Sequence, residues 1–385
     1  MKRILYIATS NVFFDTGGGI ANRAFMNSLL EAYPGKVDVI HMQTNKGGAI
    51  PSYFHLVPGF TTISKLFALF SGRIHRYNPW VMNYLDSHPN EYSHCILNCG
   101  ILGDIVPEIK NRGIKVAVIH HNYEVEFQMD NRNPSTFGGT CPILVRRNEK
   151  KAYKNADLNL FLTSSDKETL AREYGSTQSS HDDVVGIFEA EEHKDSELEN
   201  RRPLIANKLV ICGSLNSVQT LKGLKDFANH YLEPLHKYYH DDFLLTLTGR
   251  SPGEYIQKLA SNDLNISLIP SPQNILEVVK ESGIFICPTN VGGGIKLRIM
   301  DGLKLGLPIL THKISARGYD CFYDKPWFRI YQDKGSFLEG LESLNKIIKD
   351  QATLRTIIKN EYKEYYSYTT GKKRFLKSID LFLSD

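Results

Sequence analysis

Short, almost wholly apolar runs recur along this chain, and longer segments with helical periodicity separate them. A run that is apolar throughout is typical of a strand covered by helices on both faces of a parallel sheet. The pattern therefore predicts an α/β fold, and because the series restarts after a polar gap it predicts two doubly wound domains. The runs lie at 4–9, 37–42, 94–98, 115–120 and 158–163, and again at 208–213, 243–248, 266–270, 284–288 and 308–312.

A polar stretch separates the two series of strands. Residues 189–203, EAEEHKDSELENRRP, have almost nothing to bury and end in a proline, which predicts a linker between domains at 1–188 and 204–385. The amphipathic last segment is predicted to be a helix; we group it with the second domain, and the sequence leaves open which domain it contacts. Two Rossmann-like domains of this kind are expected to face a cleft at the carboxyl ends of their strands, where α/β proteins bind ligands.

Composition excludes several classes of protein. The 385 residues carry 46 basic and 42 acidic side chains, a net charge of +4, which is too small to favour nucleic acid as a partner. No stretch reaches the roughly 18 apolar residues of a membrane span, and the opening apolar run predicts a first strand rather than a signal peptide. The scattered cysteines are interpreted as reduced thiols, so we expect a cytoplasmic protein.

The first predicted strand leads into three glycines, Gly17, Gly18 and Gly19, before a helix predicted to start near Ile20. Without side chains, main-chain N–H groups and the positive end of the helix can approach an anion. We predict an anion or substrate site here; the alternative is a mobile loop whose glycines only serve turn geometry.

This turn does not match the dinucleotide-binding fingerprint of dehydrogenases. That fingerprint needs a further glycine where this chain has Asn22, and an acidic residue at the end of the second strand, where it has Met42 and Gln43. The sequence therefore argues against a dehydrogenase.

A second glycine-rich loop, at 292–294, follows the apolar strand at 284–288 and precedes a helix. Main-chain amides at the start of that helix suit phosphate oxygens, and Lys296 and Arg298 add positive charge. Asp301 can accept hydrogen bonds from vicinal hydroxyls such as those of a ribose. The loop predicts a nucleoside-diphosphate site; the alternative is that the two cations are solvated and Asp301 pairs with one of them.

With these motifs the chain resembles GT-B glycosyltransferases, and most of all the large retaining family four, in its triple-glycine variant. Residues 249–318 follow the family order of strand, helix, P..GGG.K.K..E....G.P loop and next strand. The resemblance implies that the second domain binds a nucleoside-diphosphate sugar. The expected donor-binding residues are Gly17, Gly18, Gly19, Gly213, Lys222, Arg250, Gly292, Gly293, Gly294, Ile295, Lys296, Arg298 and Asp301.

The sequence departs from the family pattern at four positions. Asp301 stands where the family has the glutamate that holds the ribose, and Gly293 stands where many members have another glutamate. Ser214 occupies the position of an arginine that contacts the diphosphate, and Lys222 follows a few residues later than the family lysine. For Lys222 the alternative is a solvated helix lysine.

In the first domain, HHNYEVEF follows a strand, and members of this variant carry a similar His-Asn-x-Glu. The resemblance implies that His121 lies near the transferred sugar, as a catalytic candidate together with Lys296, and that Asn122 and Glu124 contact the sugar or the acceptor. The alternative is that these are ordinary polar residues at the end of a sheet.

The resemblance implies transfer with retention of configuration, in which the leaving phosphate takes the acceptor's proton. We expect no metal and no other cofactor, because no DxD-like motif ends a strand. The expected acceptor is a saccharide, a lipid-linked glycan or a protein glycan, in bacterial polysaccharide or glycan synthesis. Aromatic and basic residues at 53–80 suit peripheral contact with a membrane; a core helix with polar flanks is the alternative, and homo-oligomerisation is left open.

Two other functions fit the same residues. One is a catalytically silent GT-B subunit that stabilises a partner transferase, suggested by the missing glutamate and arginine. The other is a GT-B epimerase that acts on a nucleotide-sugar without an acceptor.

Overall fold

The computed structural model describes residues 2–8, 17–42, 51–57, 77–130, 142–177, 179, 181–193, 203–350 and 353–384. The chain divides into two compact units. Unit 1 holds residues 1–129, 134–192 and 367–385, and unit 2 holds residues 130–133 and 193–366.

Each unit is built on one parallel sheet. In the described residues, unit 1 has seven strands in the order β3-β2-β1-β4-β5-β6-β7, and unit 2 has six in the order β10-β9-β8-β11-β12-β13. The strands are β1 (Arg3–Ala8), β2 (Val37–Met42), β3 (Phe54–Val57), β4 (Tyr92–Asn98), β5 (Lys115–His120), β6 (Leu158–Phe161), β7 (Asp182–Val184), β8 (Lys208–Ser214), β9 (Leu244–Arg250), β10 (Ile266–Pro270), β11 (Ile284–Cys287), β12 (Ile309–His312) and β13 (Phe328–Tyr331).

Helices connect the strands, as parallel pairing requires. Those described are α1 (Gly17–Ala32), α2 (Tyr77–Ser87), α3 (Val106–Lys110), α4 (Glu124–Asp130), α5 (Pro142–Asn155), α6 (Ser164–Tyr174), α7 (Val218–His230), α8 (Leu232–Tyr239), α9 (Glu254–Ser261), α10 (Ile275–Val279), α11 (Arg298–Lys304), α12 (Lys334–Asp350), α13 (Leu354–Tyr366) and α14 (Tyr368–Ser384).

The predicted fold class is confirmed, since both units are doubly wound and every predicted apolar run is a strand. The central strands are buried as their sequences require: in β1 the residues from Ile4 to Ala8 are all 0% exposed. Burying one such aliphatic side chain contributes about 1.5–3 kcal/mol, so the central strands anchor each unit. None of the helices described is long and apolar enough to cross a membrane.

The last helix, α14, belongs to unit 1, although its place in the chain had grouped it with the second domain. The ring of Phe375 is fully buried and lies 4.9 Å from that of Phe25 on α1. A Cβ on Gly371 would fall 2.0 Å from the ring of Phe188, so a residue without a side chain is needed for the helix to lie this close. The first domain was predicted to end at 188, but unit 1 extends to 192, and Ala190 is buried. Residues 194–202 of the predicted linker lie outside the described residues.

Candidate functional site

The order of strands in unit 2 reverses between β8 and β11, which are neighbours in the sheet. At such a switch point, the loops that follow the two strands run in opposite directions and leave a crevice at the carboxyl edge of the sheet. Strand β8 ends at Gly213 and Ser214, and the loop after β11 holds the glycines at 292–294. Two motifs that the sequence singled out separately therefore lie at one edge of one sheet.

Glycines allow the backbone segments of this edge to approach closely. A Cβ on Gly223 of α7 would fall 2.7 Å from the carbonyl oxygen of Pro288, just after β11. Gly292 has φ +89, and a Cβ there would lie 2.2 Å from the amide nitrogen of Gln219. Only glycine fits the left-handed backbone and the space at 292.

Lys296 holds the glycine loop in its shape. Its Nζ donates to the carbonyl oxygens of Gly292 at 3.0 Å and Gly293 at 2.9 Å. The hydroxyl of Tyr319 donates to the main-chain carbonyl of Lys296 at 3.0 Å. The predicted cation is thus present at the loop, and it also shapes the loop.

Asp301, in the first turn of α11, is 9% exposed and lies between two cations. Arg298 Nη1 is 3.0 Å from its Oδ2, and Lys304 Nζ is 3.3 Å from its Oδ1. The pairing with Arg298 is the i,i+3 contact that the sequence offered as an alternative. Lys304 was not predicted, and its spacing from Asp301 was the only signal that could have found it.

The other donor-site candidates of unit 2 lie on neighbouring elements. Arg250 is exposed at the end of β9, in register with Ser214 of β8. Lys222 is exposed on α7, where a solvated lysine is equally expected. Gly294 is buried and Ile295 is half-buried, and both precede α11.

Two polar side chains at this edge were not predicted from the sequence as site residues. Among the described residues, Gln219 Nε2 and Asn290 Oδ1 are buried without a hydrogen-bond partner. Buried polar atoms are nearly always paired, so these two mark a place where a polar ligand would complete the hydrogen bonding. Nothing in the local sequence pattern indicates either residue.

Unit 1 has its own switch point, between β1 and β4. Here the structure brings the triple glycine and the histidine motif together. Asn22 Nδ2 donates to the carbonyl of Gly18 at 2.8 Å, Asn98 Nδ2 donates to Asn22 Oδ1, and Asn98 Oδ1 is hydrogen-bonded to His121 Nε2. The helix predicted near Ile20 begins at Gly17, so the three glycines form its first turn.

These contacts indicate which tautomer His121 adopts. Asn98 donates through its amide nitrogen, so its Oδ1 accepts, and Nε2 of His121 carries the hydrogen. Burial, together with the nearby His120 ring, lowers the pKa of His121 to about 4. The ring is therefore neutral at pH 7, with Nδ1 as its acceptor atom.

The neighbours of His121 are more deeply buried than a sugar-contacting role requires. His120 hydrogen-bonds Asn159 Oδ1 at 2.9 Å and stacks on Phe161, which makes it a structural residue. Asn122 and Glu124 are 8% and 5% exposed, and the Cys99 thiol donates to Glu124 Oε1 at 3.5 Å.

In the part of the chain that the structure describes, no group of three or more histidine, cysteine, aspartate or glutamate side chains could hold a metal ion. The expectation of a reaction without a metal stays a prediction. The predicted membrane-contact segment has residues 58–76 outside the described residues, so that hypothesis stays untested as well.

No protein-family model and no curated protein sequence matches the chain. Solved structures match over nearly its full length. Sucrose-phosphate synthase from Thermosynechococcus elongatus is 13% identical with a TM-score of 0.70, covering 100% of both chains. Anabaena HepE in complex with UDP-glucose is 11% identical with a TM-score of 0.63, covering 99% of this chain and 100% of that one. The lipopolysaccharide outer core galactosyltransferase WaaB is 12% identical with a TM-score of 0.63, with the same coverage.

At these identities the likeness shows the fold. The two parallel sheets with their flanking helices match the GT-B fold of glycosyltransferase structures.

Proposed function

We propose that this chain is a glycosyltransferase that takes a sugar from a nucleoside diphosphate, with the donor bound by unit 2. The observation that carries the proposal is the Gly292–Asp301 segment at the switch point of that unit, with main-chain amides, cations and a buried carboxylate at one edge of the sheet. The GT-B fold supports it, and because HepE was solved with UDP-glucose we take a UDP-sugar as the first donor to test.

Each part of the donor has a proposed partner. The amides of Gly293, Gly294 and Ile295, with Lys296, bind the diphosphate, and Arg250 supplies the cation that Ser214 cannot. Because β8 and β9 are in register at this pair, Arg250 lies at the same edge as the turn after β8. Gln219 would donate its unpartnered amide hydrogens to the same anion.

The carboxylate of Asp301 binds the ribose hydroxyls in this proposal. Arg298 and Lys304 pair with this carboxylate and fix its orientation, which lets a shorter aspartate serve where related enzymes have glutamate. Hydroxyl groups would then add to the two ion pairs rather than replace them, since a carboxylate has about four acceptor sites.

Transfer requires stabilisation of the departing diphosphate while positive charge develops on the sugar. We propose that Lys296 and the loop amides provide it, with retention of configuration and with no metal. Unit 1 supplies His121, whose neutral ring offers a hydrogen-bond acceptor at Nδ1. Asn122 and Glu124 are buried, so we assign them to support of the His121 turn rather than to direct contact. The proposed acceptor is a saccharide, lipid-linked or protein-linked glycan.

Calorimetry against UDP-glucose, UDP-galactose, UDP-N-acetylglucosamine, GDP-mannose and dTDP-glucose tests this proposal. At least one should bind, and Lys296→Met and Asp301→Asn should each weaken it by about 1–3 kcal/mol, the range for loss of a charge-assisted hydrogen bond. Lys258→Met and Asp242→Asn are matched controls, because both residues are exposed and neither belongs to the proposed donor site. Unchanged affinity in both site variants would refute the assignment.

A catalytically silent binding subunit is the second candidate. The observation that favours it is Gly293, which stands at a position where the resembled family has a glutamate. A chain that binds UDP-sugar but releases no UDP, alone or with glycan acceptors, would support it. Epimerised UDP-sugar from donor alone would indicate an epimerase instead.

A further inference from the structure

Three buried carboxyl groups in unit 1 have no part in the proposed donor site. Glu124 of α4, Glu149 of α5 and Asp166 of α6 are 5%, 0% and 6% exposed. They converge from three helices on the turn that follows β5, which is the turn that carries His121. A buried carboxyl group is costly unless its oxygens accept hydrogen bonds, so their partners show what the cluster does.

Two of these carboxyl groups accept main-chain hydrogen bonds from consecutive residues. The N–H of Tyr123 donates to Asp166 Oδ1 at 3.1 Å, and the N–H of Glu124 donates to Glu149 Oε1 at 2.8 Å. The first N–H groups of a helix have no partner within the helix. The start of α4 is therefore capped by side chains that come from two other helices.

Both caps are themselves held in place. Tyr174 donates its hydroxyl to Glu149 Oε2 at 2.7 Å, and Thr163 donates to Asp166 Oδ2 at 2.6 Å while accepting from the Asp166 N–H at 3.0 Å. Each carboxyl group thus has one oxygen fixed by a hydroxyl and the other directed at the turn. Such fixed acceptors determine the backbone course from His121 into α4.

We propose that Glu149 and Asp166 are positioning residues, which hold the His121 turn in its reactive orientation by accepting the N–H groups of Glu124 and Tyr123. This inference rests on the proposed function. Neither residue touches a reacting group; each acts through the main chain. Glu149 and Asp166 are 28 and 45 residues from His121 in sequence, so no local motif could have indicated them.

The protonation state of Glu149 supports the proposal. Burial raises the pKa of Glu149, and the neighbouring Glu124 and Asp166 raise it further, while Tyr174 and the Glu124 N–H lower it by hydrogen bonding. The His120 ring nearby is neutral, because burial lowers its pKa to about 4. A neutral Glu149 keeps a carbonyl oxygen for the Glu124 N–H, and glutamine offers the same acceptor in the same shape.

The experiment compares Glu149→Leu with Glu149→Gln, and Asp166→Ala with Asp166→Asn, in the full chain. Glu168→Gln is the control, because it changes an exposed carboxyl group on the same helix as Asp166 and leaves both caps and the hydroxyls that hold them. We expect the Leu and Ala variants to speed amide hydrogen exchange across 121–130 and to lower kcat for UDP release from the best-bound donor of the panel by about 10- to 100-fold. The donor Kd should change by less than about twofold, because the residues proposed to bind the diphosphate and the ribose belong to unit 2.

Rescue by the isosteric variants separates positioning from a requirement for charge. Glu149→Gln and Asp166→Asn should retain wild-type exchange and kcat. Leu and Ala variants with wild-type exchange and kcat would overturn the inference, as would a Gln variant as slow as the Leu variant. Should Glu149→Leu fail to fold, the Asp166 pair decides the matter. A wild-type chain that binds none of the panel sugars refutes the proposed function instead, and hydrogen exchange still reports on the caps.

Discussion

Asp301 illustrates how one side chain can serve both the fold and a ligand. It is bound by Arg298 on its more exposed side and by Lys304 on its buried side, where the lysine side chain is 8% exposed. A charge this deeply buried depends on its partner, because removing one member of a buried pair leaves the other uncompensated.

Replacing Asp301 should therefore destabilise unit 2 much more than replacing Arg298. We expect Asp301→Ala to lower the free energy of unfolding by about 3–5 kcal/mol, because Lys304 stays buried without its carboxylate. Arg298→Ala should cost less than about 1 kcal/mol, since that side chain reaches solvent. Fluorescence of Trp327 during urea unfolding, in a Trp80→Phe background, reports on unit 2 because these are the two tryptophans of the chain. Equal losses in the two variants would contradict the expectation.

We expect Glu149 to make the free energy of unfolding of unit 1 depend on pH. Its pKa is raised from the ordinary value of 4.5 by burial and by nearby carboxyl groups. Above pH 4.5 the folded chain retains a proton that the unfolded chain releases, so the free energy of unfolding falls as pH rises through this window.

Glu149→Gln should flatten that dependence. Between about pH 5 and about pH 9 the unfolding midpoint of unit 1, followed by hydrogen exchange in β4 and β5, should fall less in the variant than in the wild type. If the unfolding midpoints of the variant and the wild type fell equally with pH, Glu149 would not be the cause of the pH dependence.

At this scale the sequence indicated residues that share a short segment, such as Lys296, Arg298 and Asp301. It could not indicate Asn98 or Gln219, because the residues that lie next to them come from elements far away in the chain. Spacing within one helix is visible in a sequence, whereas a meeting of two loops depends on the order of the strands.

At the scale of the elements, the strands that were not predicted from the sequence are edge strands. In the described residues, β3, β7 and β13 each lie at an edge of a sheet, and each has four residues or fewer. Edge strands are covered less completely than central ones, so they need not be continuously apolar. Central strands were predictable because burial on both faces favours apolar residues at most positions.

The sequence left open which domain the last helix contacts, because amphipathic periodicity shows that a face is buried but not what covers it. We expect Phe375→Ala to cost unit 1 about 3–5 kcal/mol, as for other fully buried phenylalanines. Leu381→Ala on the same helix is the control; its side chain is 51% exposed, and its loss should stay within about 0.5 kcal/mol. Hydrogen exchange of β1 and β4 measures the loss of stability in both variants. Similar losses in Phe375→Ala and Leu381→Ala would mean that α14 does not contribute to the core of unit 1.

At the scale of the whole molecule, the same architecture occurs twice, and each unit collects its candidate residues at its own switch point. The alternation of strands and helices made this architecture predictable. The assignment of the chain's end to unit 1 was not, since it depends on contacts between residues more than 300 positions apart, such as those of α14 with α1.

The proposal that unit 2 binds the donor can be tested with the donor alone. UDP-glucose, or the best-bound sugar of the panel, should slow hydrogen exchange at 213–223 and 288–304 in unit 2 by about tenfold when present at about ten times its Kd. Protection that appears only in β1 to β7 would contradict the assignment of the donor to unit 2.

The return of α14 to unit 1 has a consequence for how the chain is made. Synthesis on the ribosome proceeds from the amino-terminal side, yet the core of unit 1 lacks Phe375 until every residue of unit 2 has been translated. Unit 1, most of which is synthesised first, is therefore completed last. While unit 2 folds, unit 1 still exposes the apolar residues that α14 will cover. Nascent chains stalled before residue 367 should therefore engage chaperones through unit 1.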